Sequence, residues 1–361
     1  MEGKITAVDE IANLDFNQFQ DYQQYDFHNE CYVSPGWIDI HTHCYEKHSL
    51  YTDHPDNIGV KQGVTTLIDA GSCGVNDIED FYQLAQTYQT NVYSLINVAK
   101  IGIPFQGELL DRTNLDLSLV TAKLQLYPHF ILGIKIRMSH SVVGNNGFWA
   151  LQQTVAYQQV NKVPMMVHIG NAPPDIATIL AITGRQVIIS HAYHGKKNRI
   201  FNSSKDLLKM LLLAQNRGLK LDVGHGSESF SFNTFTTAIA QGFVPDFISS
   251  DLYERNRVQG PVYSLSYVLS KMLSFGLPLA SIIDKVTSIP ANFFKLKQIG
   301  KLAQDYVADL TFFQVKPTNI TVIDNNIEKN TRNLSRMIEP QMCFTKNKLI
   351  DLRRINNENT E

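Results

Sequence analysis

Ser34-Pro35-Gly36-Trp37-Ile38-Asp39-Ile40-His41-Thr42-His43 is a short apolar run that ends in two histidines one residue apart. Alternate residues of a strand point to the same side, so an H-x-H pair closing a strand aims two imidazoles at one point. Convergent imidazoles suit a divalent metal ion. The spacing alone also arises by chance, each ring being then an ordinary satisfied polar group. Its weight depends on where other ligand-type residues fall.

Downstream, strand-like runs alternate with helix-like stretches. After 37–40 come 64–68, 92–98, 130–136, 163–167, 187–189, 219–223 and 247–248. Between them, 78–88, 151–160, 205–217 and 263–275 carry apolar residues at helical spacing. Strand and helix alternating in this way predict an α/β chain folded as a (β/α)8 TIM barrel. A doubly wound open sheet is the competing architecture. No G-x-G-x-x-G follows the first run, which argues against its dinucleotide-binding form.

Ligand-type residues cluster at the ends of these runs. His41 and His43 end the first, Lys135 lies late in the fourth, His168 ends the fifth and His191 the sixth. His225 follows the seventh and Asp251 the eighth. Barrel enzymes build their sites at the C-terminal ends of the strands. Chance places one or two ionisable groups there; it does not readily place this series over apolar interiors.

With these residues in view, the chain resembles the amidohydrolase superfamily of metal-dependent hydrolases. The marks are P-G-W-I-D-I-H-T-H at 35–43, G-V-T-T at 63–66, Lys135, His168, His191 and Asp251. G-I-K-I-R at 133–137, V-H-I-G at 167–170, D-V-G-H-G at 222–226, Ser229 to Phe232 and I-S-S-D-L at 248–252 narrow the likeness. They point to the amidohydrolase/deacetylase, dihydroorotase-like group, over about residues 30–315. The resemblance implies two divalent ions, best suited to zinc. His41, His43 and Asp251 would hold one, His168 and His191 the other, and a carbamylated Lys135 would bridge them. Unmodified lysine is a cation with a pKa near 10.4 and a poor ligand; a carbamate supplies the missing anion. The alternative for Lys135 is a buried ion pair, with Asp251 as partner. The resemblance further implies that the ions activate a bridging water and that Asp251 acts as general acid and base.

The 361 residues suffice for one large barrel and a smaller unit. Residues 35–295 are assigned to the barrel, and 1–34 with 296–361 to a small β-sandwich and tail. A net charge of −2 gives no footprint for nucleic acid or anionic lipid. No apolar run is long enough to span a membrane and the start lacks a leader's apolar segment, so a cytoplasmic enzyme is expected. Cys31, Cys44, Cys73 and Cys343 show no paired spacing and read as reduced thiols. Residues 4–8 and 308–313 read as strands of a reduced terminal sandwich. The polar, Asn-rich tail beyond Asp324 reads as partly disordered.

The leading function is a binuclear hydrolase of the amide or ester bond of a small acylated amino or hydroxy acid. A cyclic amidase of the dihydroorotase or hydantoinase kind is the alternative. Against it, dihydroorotases carry H-x-H-x-R, and position 45 is Tyr45. A mononuclear deaminase is disfavoured by Lys135 and by the lack of a Glu shortly after His168. A non-catalytic relative is disfavoured by the complete ligand set. Substrate contacts are expected from Arg137, His225, Tyr253 and Asn171, with Arg137 clamping a carboxylate through its planar fork. A structural ion pair is the competing role for Arg137. The expected partner is a small-molecule substrate, with homo-oligomerisation left open.

Overall fold

The computed structural model describes residues 3–10, 13–14, 22–48, 50–202 and 204–353. Seven strands form a parallel sheet in sequential order. They are β2 (Trp37–Thr42), β3 (Val64–Asp69), β4 (Asn91–Asn97), β5 (Ile131–Met138), β6 (Met165–Ile169), β7 (Val187–Ser190) and β8 (Lys220–Leu221). The expected eighth strand is present only as single bridges: Phe247 pairs with Asp222 and Leu252 with Thr42, both parallel. Backbone bonds from Asp251 N to His41 O (2.7 Å) and from His225 N to Ser249 O (3.1 Å) complete the closure. The segment 247–252 therefore joins β8 to β2 and turns the curled sheet into a TIM-like barrel.

Every residue of β2 and of β3 is buried, as expected of parallel strands covered on both faces. Ile38, Ile40, Ile68, Leu95, Met166, Ile188 and Phe247 fill the interior. Residues of opposite parity, such as Leu67, Ile134, Val167 and Ile189, pack outward in the larger cluster that includes the helices. Those helices include Ile78–Ala85, Trp149–Asn161, Lys205–Asn216 and Leu265–Ser274. Ser204 and Ser264 cap the last two through backbone N–H groups. No helix among the described residues is long and apolar enough to cross a membrane.

The terminal unit is a four-stranded antiparallel sheet in the order β1-β9-β10-β11. Its strands are β1 (Tyr32–Pro35), β9 (Leu310–Ile323), β10 (Thr331–Thr345) and β11 (Lys348–Asp351). Two expectations need correction. Residues 4–8 form no strand: Lys4 makes one isolated bridge to Val307, and the N-terminal contribution is Tyr32–Pro35 instead. Val8 is exposed, so this stretch has no apolar face to bury. The tail, expected to be partly disordered, supplies the 15-residue β10 from 331 on, while 354–361 lie outside the described residues. Its polar composition hides a buried stripe of Leu334, Ile338, Met342 and Cys343, and register shifts at 334/336 and 340/342 accommodate Pro340.

Candidate metal centre and its cavity

Strand alternation delivers most of the ligand-type residues to one end of the barrel. In β6, Met166 points inward, so His168 two residues on lines the cavity above it. Lys135 and Arg137 share the inward face of β5 in the same way. In β2 the inward residues are Ile38 and Ile40, and strict alternation would send His41 outward. A register irregularity between Asp39 and Thr42 breaks the alternation, and both His41 and His43 line the cavity.

His41, His43 and Asp251 converge, with candidate ligand atoms all within 4.8 Å of one another. Asp251 Oδ1 lies 3.3 Å from Nε2 of each ring. Behind the rings stand two matching relays. His43 Nδ1 meets Ser72 Oγ at 2.9 Å, and Ser72 Oγ donates to Asp69 at 2.7 Å. His41 Nδ1 meets Ser190 Oγ at 2.7 Å, and Ser190 Oγ donates to Asp222 at 2.7 Å. A serine has one hydroxyl proton. Each serine gives that proton to its aspartate, so each Nδ1 must donate, and each Nε2 carries the lone pair a metal needs. The donor set and its tautomers fit a divalent cation. Burial raises Asp222 to about 6 against the pull of the Ser190 and Ser249 hydroxyls.

His191 and Asp251 adopt positive φ values of 63° and 55°. Such conformations are uncommon for non-glycine residues and concentrate at functional positions. The D-V-G-H-G stretch explains how the chain can close around them. A Cβ on Gly224 would sit 2.2 Å from Ser190 Oγ, and one on Gly226 would sit 2.4 Å from Asp251 Oδ2. Glycine is required at both by close approach. His191 does not line the cavity directly; its ring lies 4.5 Å from that of His168 and 5.0 Å from that of His41. Burial lowers His191 to about 4, with Lys135 acting in the same direction and Asp251 opposing. Burial also holds His41 and His168 well below the ordinary histidine value, so these rings are neutral donors. Asp251 stays below the usual carboxylate range: burial opposes ionisation, but the neighbouring His43, His191 and Lys135 outweigh it.

Lys135 is fully buried. Its Nζ lies 3.1 Å from His41 Nε2 and 3.2 Å from Met166 Sδ. Desolvation lowers it to about 7 despite the attraction of Asp251.

The expected substrate contacts divide. Tyr253, Asn171 and Arg137 line the cavity, whose volume is about 460 Å³. Arg137, however, already gives Nε and Nη2 to Glu108 at 2.6 and 2.7 Å. Its planar fork is filled by a carboxylate of the chain itself, and the expected clamp gives way to the structural ion pair. His225 is also corrected. Positive φ at Gly224 and Gly226 turns it away from the cavity. Its Nδ1 donates to Gly226 O at 2.9 Å, and its Nε2 accepts from the buried Lys271 Nζ at 2.9 Å. Sequence reasoning missed Tyr51, Lys196, Glu228 and Asn326, which line the cavity from loops. Loop residues carry no periodic signal, so nothing in the pattern marked them.

No family model matches the chain. It is 45% identical over 297 residues to a deacetylase of Enterococcus faecalis, spanning 82% of this chain and 80% of that protein. Among solved structures it superposes on an adenine deaminase with a TM-score of 0.86 at 42% identity, covering 89% of this chain and 88% of that one. A dihydroorotase follows with a TM-score of 0.83 at 30% identity, covering 88% and 86%. The chain belongs to the amidohydrolase superfamily. It is a metal-dependent amidohydrolase, a hydrolytic enzyme acting on C–N bonds. Within this amidohydrolase Cys44 is buried, absent from the cavity lining, and one of four free thiols.

Proposed function

We propose that this amidohydrolase cleaves the acyl bond of a small N-acyl amino acid or O-acyl hydroxy acid at a binuclear centre. The carrying observation is the convergence of His41 Nε2, His43 Nε2 and Asp251 Oδ1, with both Nδ1 atoms committed to serine–aspartate relays. The deacetylase from Enterococcus faecalis supports an acyl substrate. His168 and His191, ring against ring beside Lys135, supply the second set of nitrogens.

The amine of Lys135 occupies the His41 Nε2 lone pair. Lowered to about 7, it is substantially neutral near physiological pH and can add to carbon dioxide with loss of one proton. The product is a carboxylate, which would replace a competing donor with an anionic ligand for the metal. Divalent ions, which His41, His43, His168, His191, Asp251 and carbamylated Lys135 would hold, would supply Lewis-acid polarisation of the acyl carbonyl and acidify the attacking water. Asp251, ionised at neutral pH, accepts the water proton and returns it to the leaving nitrogen or oxygen as the acyl bond breaks. Tyr51 and Tyr253 give the cavity an aromatic wall for the apolar part of the substrate.

A cyclic amidase is disfavoured because Tyr45, at the place of the dihydroorotase arginine, is buried and donates to Asp80 at 2.9 Å. Deamination is disfavoured because the residues after His168 contribute Asn171 and no glutamate to the lining. The test is a panel of acylated amino and hydroxy acids of both chiralities, with dihydroorotate, a hydantoin and adenine alongside. Fast turnover of the acyl compounds, with metal content approaching two per chain in zinc and bicarbonate, is expected. Turnover confined to a ring substrate, or one metal per chain irrespective of bicarbonate and of Lys135→Ala, overturns the reading.

A further inference from the structure

Five residues past His191, Lys196 lines the same cavity. Three other cations do so, and they differ from it. Lys135 has its Nζ on His41 and Met166. Arg137 is neutralised by Glu108. Arg255 is exposed at the start of the helix Glu254–Val258. Lys196 is partly buried, and its Nζ makes no hydrogen bond or ion pair with a described residue. Burial lowers its pKa, with Glu228 and Asp251 opposing. A charged head half removed from water and left without an acceptor is costly unless something else satisfies it.

The loop holding Lys196 is built to keep it in place. Its backbone N–H donates to His194 Nδ1 at 3.1 Å. His194 is fully buried and lowered to about 3 by desolvation and by Lys196. It is therefore neutral and presents a lone pair to that N–H. On the other side Gly195 lies against Glu328, whose Oε1 would be 2.1 Å from an added Cβ. Glu328 is itself anchored by Ser231 Oγ at 2.8 Å and Asn330 Nδ2 at 2.9 Å. Such rigid backing, with a free charged tip facing the cavity, is the arrangement of a recognition residue.

We infer that Lys196, and not Arg137, receives the carboxylate of the substrate and sets the preference of the cavity for anionic acyl compounds. This rests on the acyl-hydrolase reading above. An ammonium is a compact point charge that can meet one carboxylate oxygen without the fork geometry Arg137 has already used.

The experiment compares an N-acyl amino acid with its neutral carboxamide, which keeps the scissile bond and removes the charge. Wild-type enzyme should favour the acid. Lys196→Met should lower the acid-to-amide ratio of kcat/KM by about 10–100-fold, chiefly through KM for the acid, as for loss of a charge-assisted hydrogen bond. Lys196→Arg should recover most of the ratio, which separates lost charge from a damaged loop, and circular dichroism of both variants checks the fold. If the wild type hydrolyses both compounds and the ratio survives Lys196→Met, the assignment to Lys196 falls alone. Collapse of the ratio in Arg137→Met but not in Lys196→Met returns the role to Arg137. If the wild type hydrolyses neither, the acyl-hydrolase reading falls and takes the assignment with it.

Discussion

The barrel sheet and the terminal sheet both hide apolar strand surface, but they do so differently, and the site shows the consequence. In β2 and β3 every residue is buried, so the strands are gripped on both faces. Their polar ends inherit that rigidity: His41 and His43 are backed by serines and these by buried aspartates. In β10 only a stripe is buried, with Ile338 N reaching Ser270 Oγ at 2.9 Å on the helix beneath. The other face meets water, as antiparallel sheets allow. This sheet adds no candidate ligand. Its β9–β10 turn reaches the barrel mouth, where Asn326 lines the cavity and Glu328 packs against the Lys196 loop. The candidate ligands sit on the doubly covered sheet, and the rim is shaped by the half-covered one.

The largest way to break this contrast is at the barrel end. Asp251→Asn should keep the fold and lower kcat by about 10²–10⁴-fold, the range of general acid–base catalysis. Rates at saturating metal decide it, and near-native turnover would move the proton transfer elsewhere. Acid should act on the same region. His41, His168, His191, His194 and His225 are all held below the ordinary value by burial. The unfolded chain therefore binds more protons below about pH 6.5, and each ring removes roughly 1.4 kcal/mol per pH unit until its own folded pKa is passed. Asp39, raised to about 7, and Asp222, raised to about 6, work in the opposite direction because their protonated forms are favoured in the fold. The rings outnumber them, so urea-unfolding stability of the metal-free protein should fall by several kcal/mol from pH 7 to pH 5. A flat profile would mean that these rings are not buried neutral.

The junction between the sheets comes next. Lys271 donates to His225 Nε2, Pro261 O and Ile323 O at 2.8–2.9 Å, tying the barrel to the end of β9. Lys271→Met strands three buried acceptors and should cost about 2–4 kcal/mol by denaturant titration. Unchanged stability would show that water replaces the amine. Ser72→Ala removes the partner of His43 Nδ1 and should weaken metal binding about 10–100-fold in a chelator competition. Ser190→Ala should weaken it less, because Asp222 Oδ2 already lies 3.9 Å from His41 Nδ1 and can close on it. Equal losses would deny that difference. The smallest effect is expected in the turn, where Asn325 donates to Phe230 O and accepts from Ile327 N and Glu328 N. Asn325→Ala should cost about 1–2 kcal/mol and show as a raised KM with kcat preserved. A matching loss of kcat would make the turn part of the chemical step.

Much of the barrel was legible because period-two alternation and apolar runs are local properties of the chain. The runs at 37–40, 64–68 and 187–189 lie inside observed strands, and His41, Lys135, His168 and Asp251 all line one cavity. The eighth run was legible as an apolar segment, yet its closure is made by single bridges to neighbours on either side. The small terminal sheet was expected from both ends of the chain, but its strand β10 was not placed, for a physical reason: a strand buried along one stripe looks polar in composition, and Pro340 and Pro317 obscure the period.

What the sequence determined by itself was the order of strands and helices and the residue types at the strand ends, since both follow from local periodicity. Which of those side chains is free to act was decided only in three dimensions. Arg137 meets Glu108 from another loop, His225 is turned beneath Lys271 by two glycines, and among the described residues Lys196 is left without an acceptor beside the candidate metal ligands. A charged group is defined by its partner, and partners that lie far apart along the chain meet only when the fold brings them together.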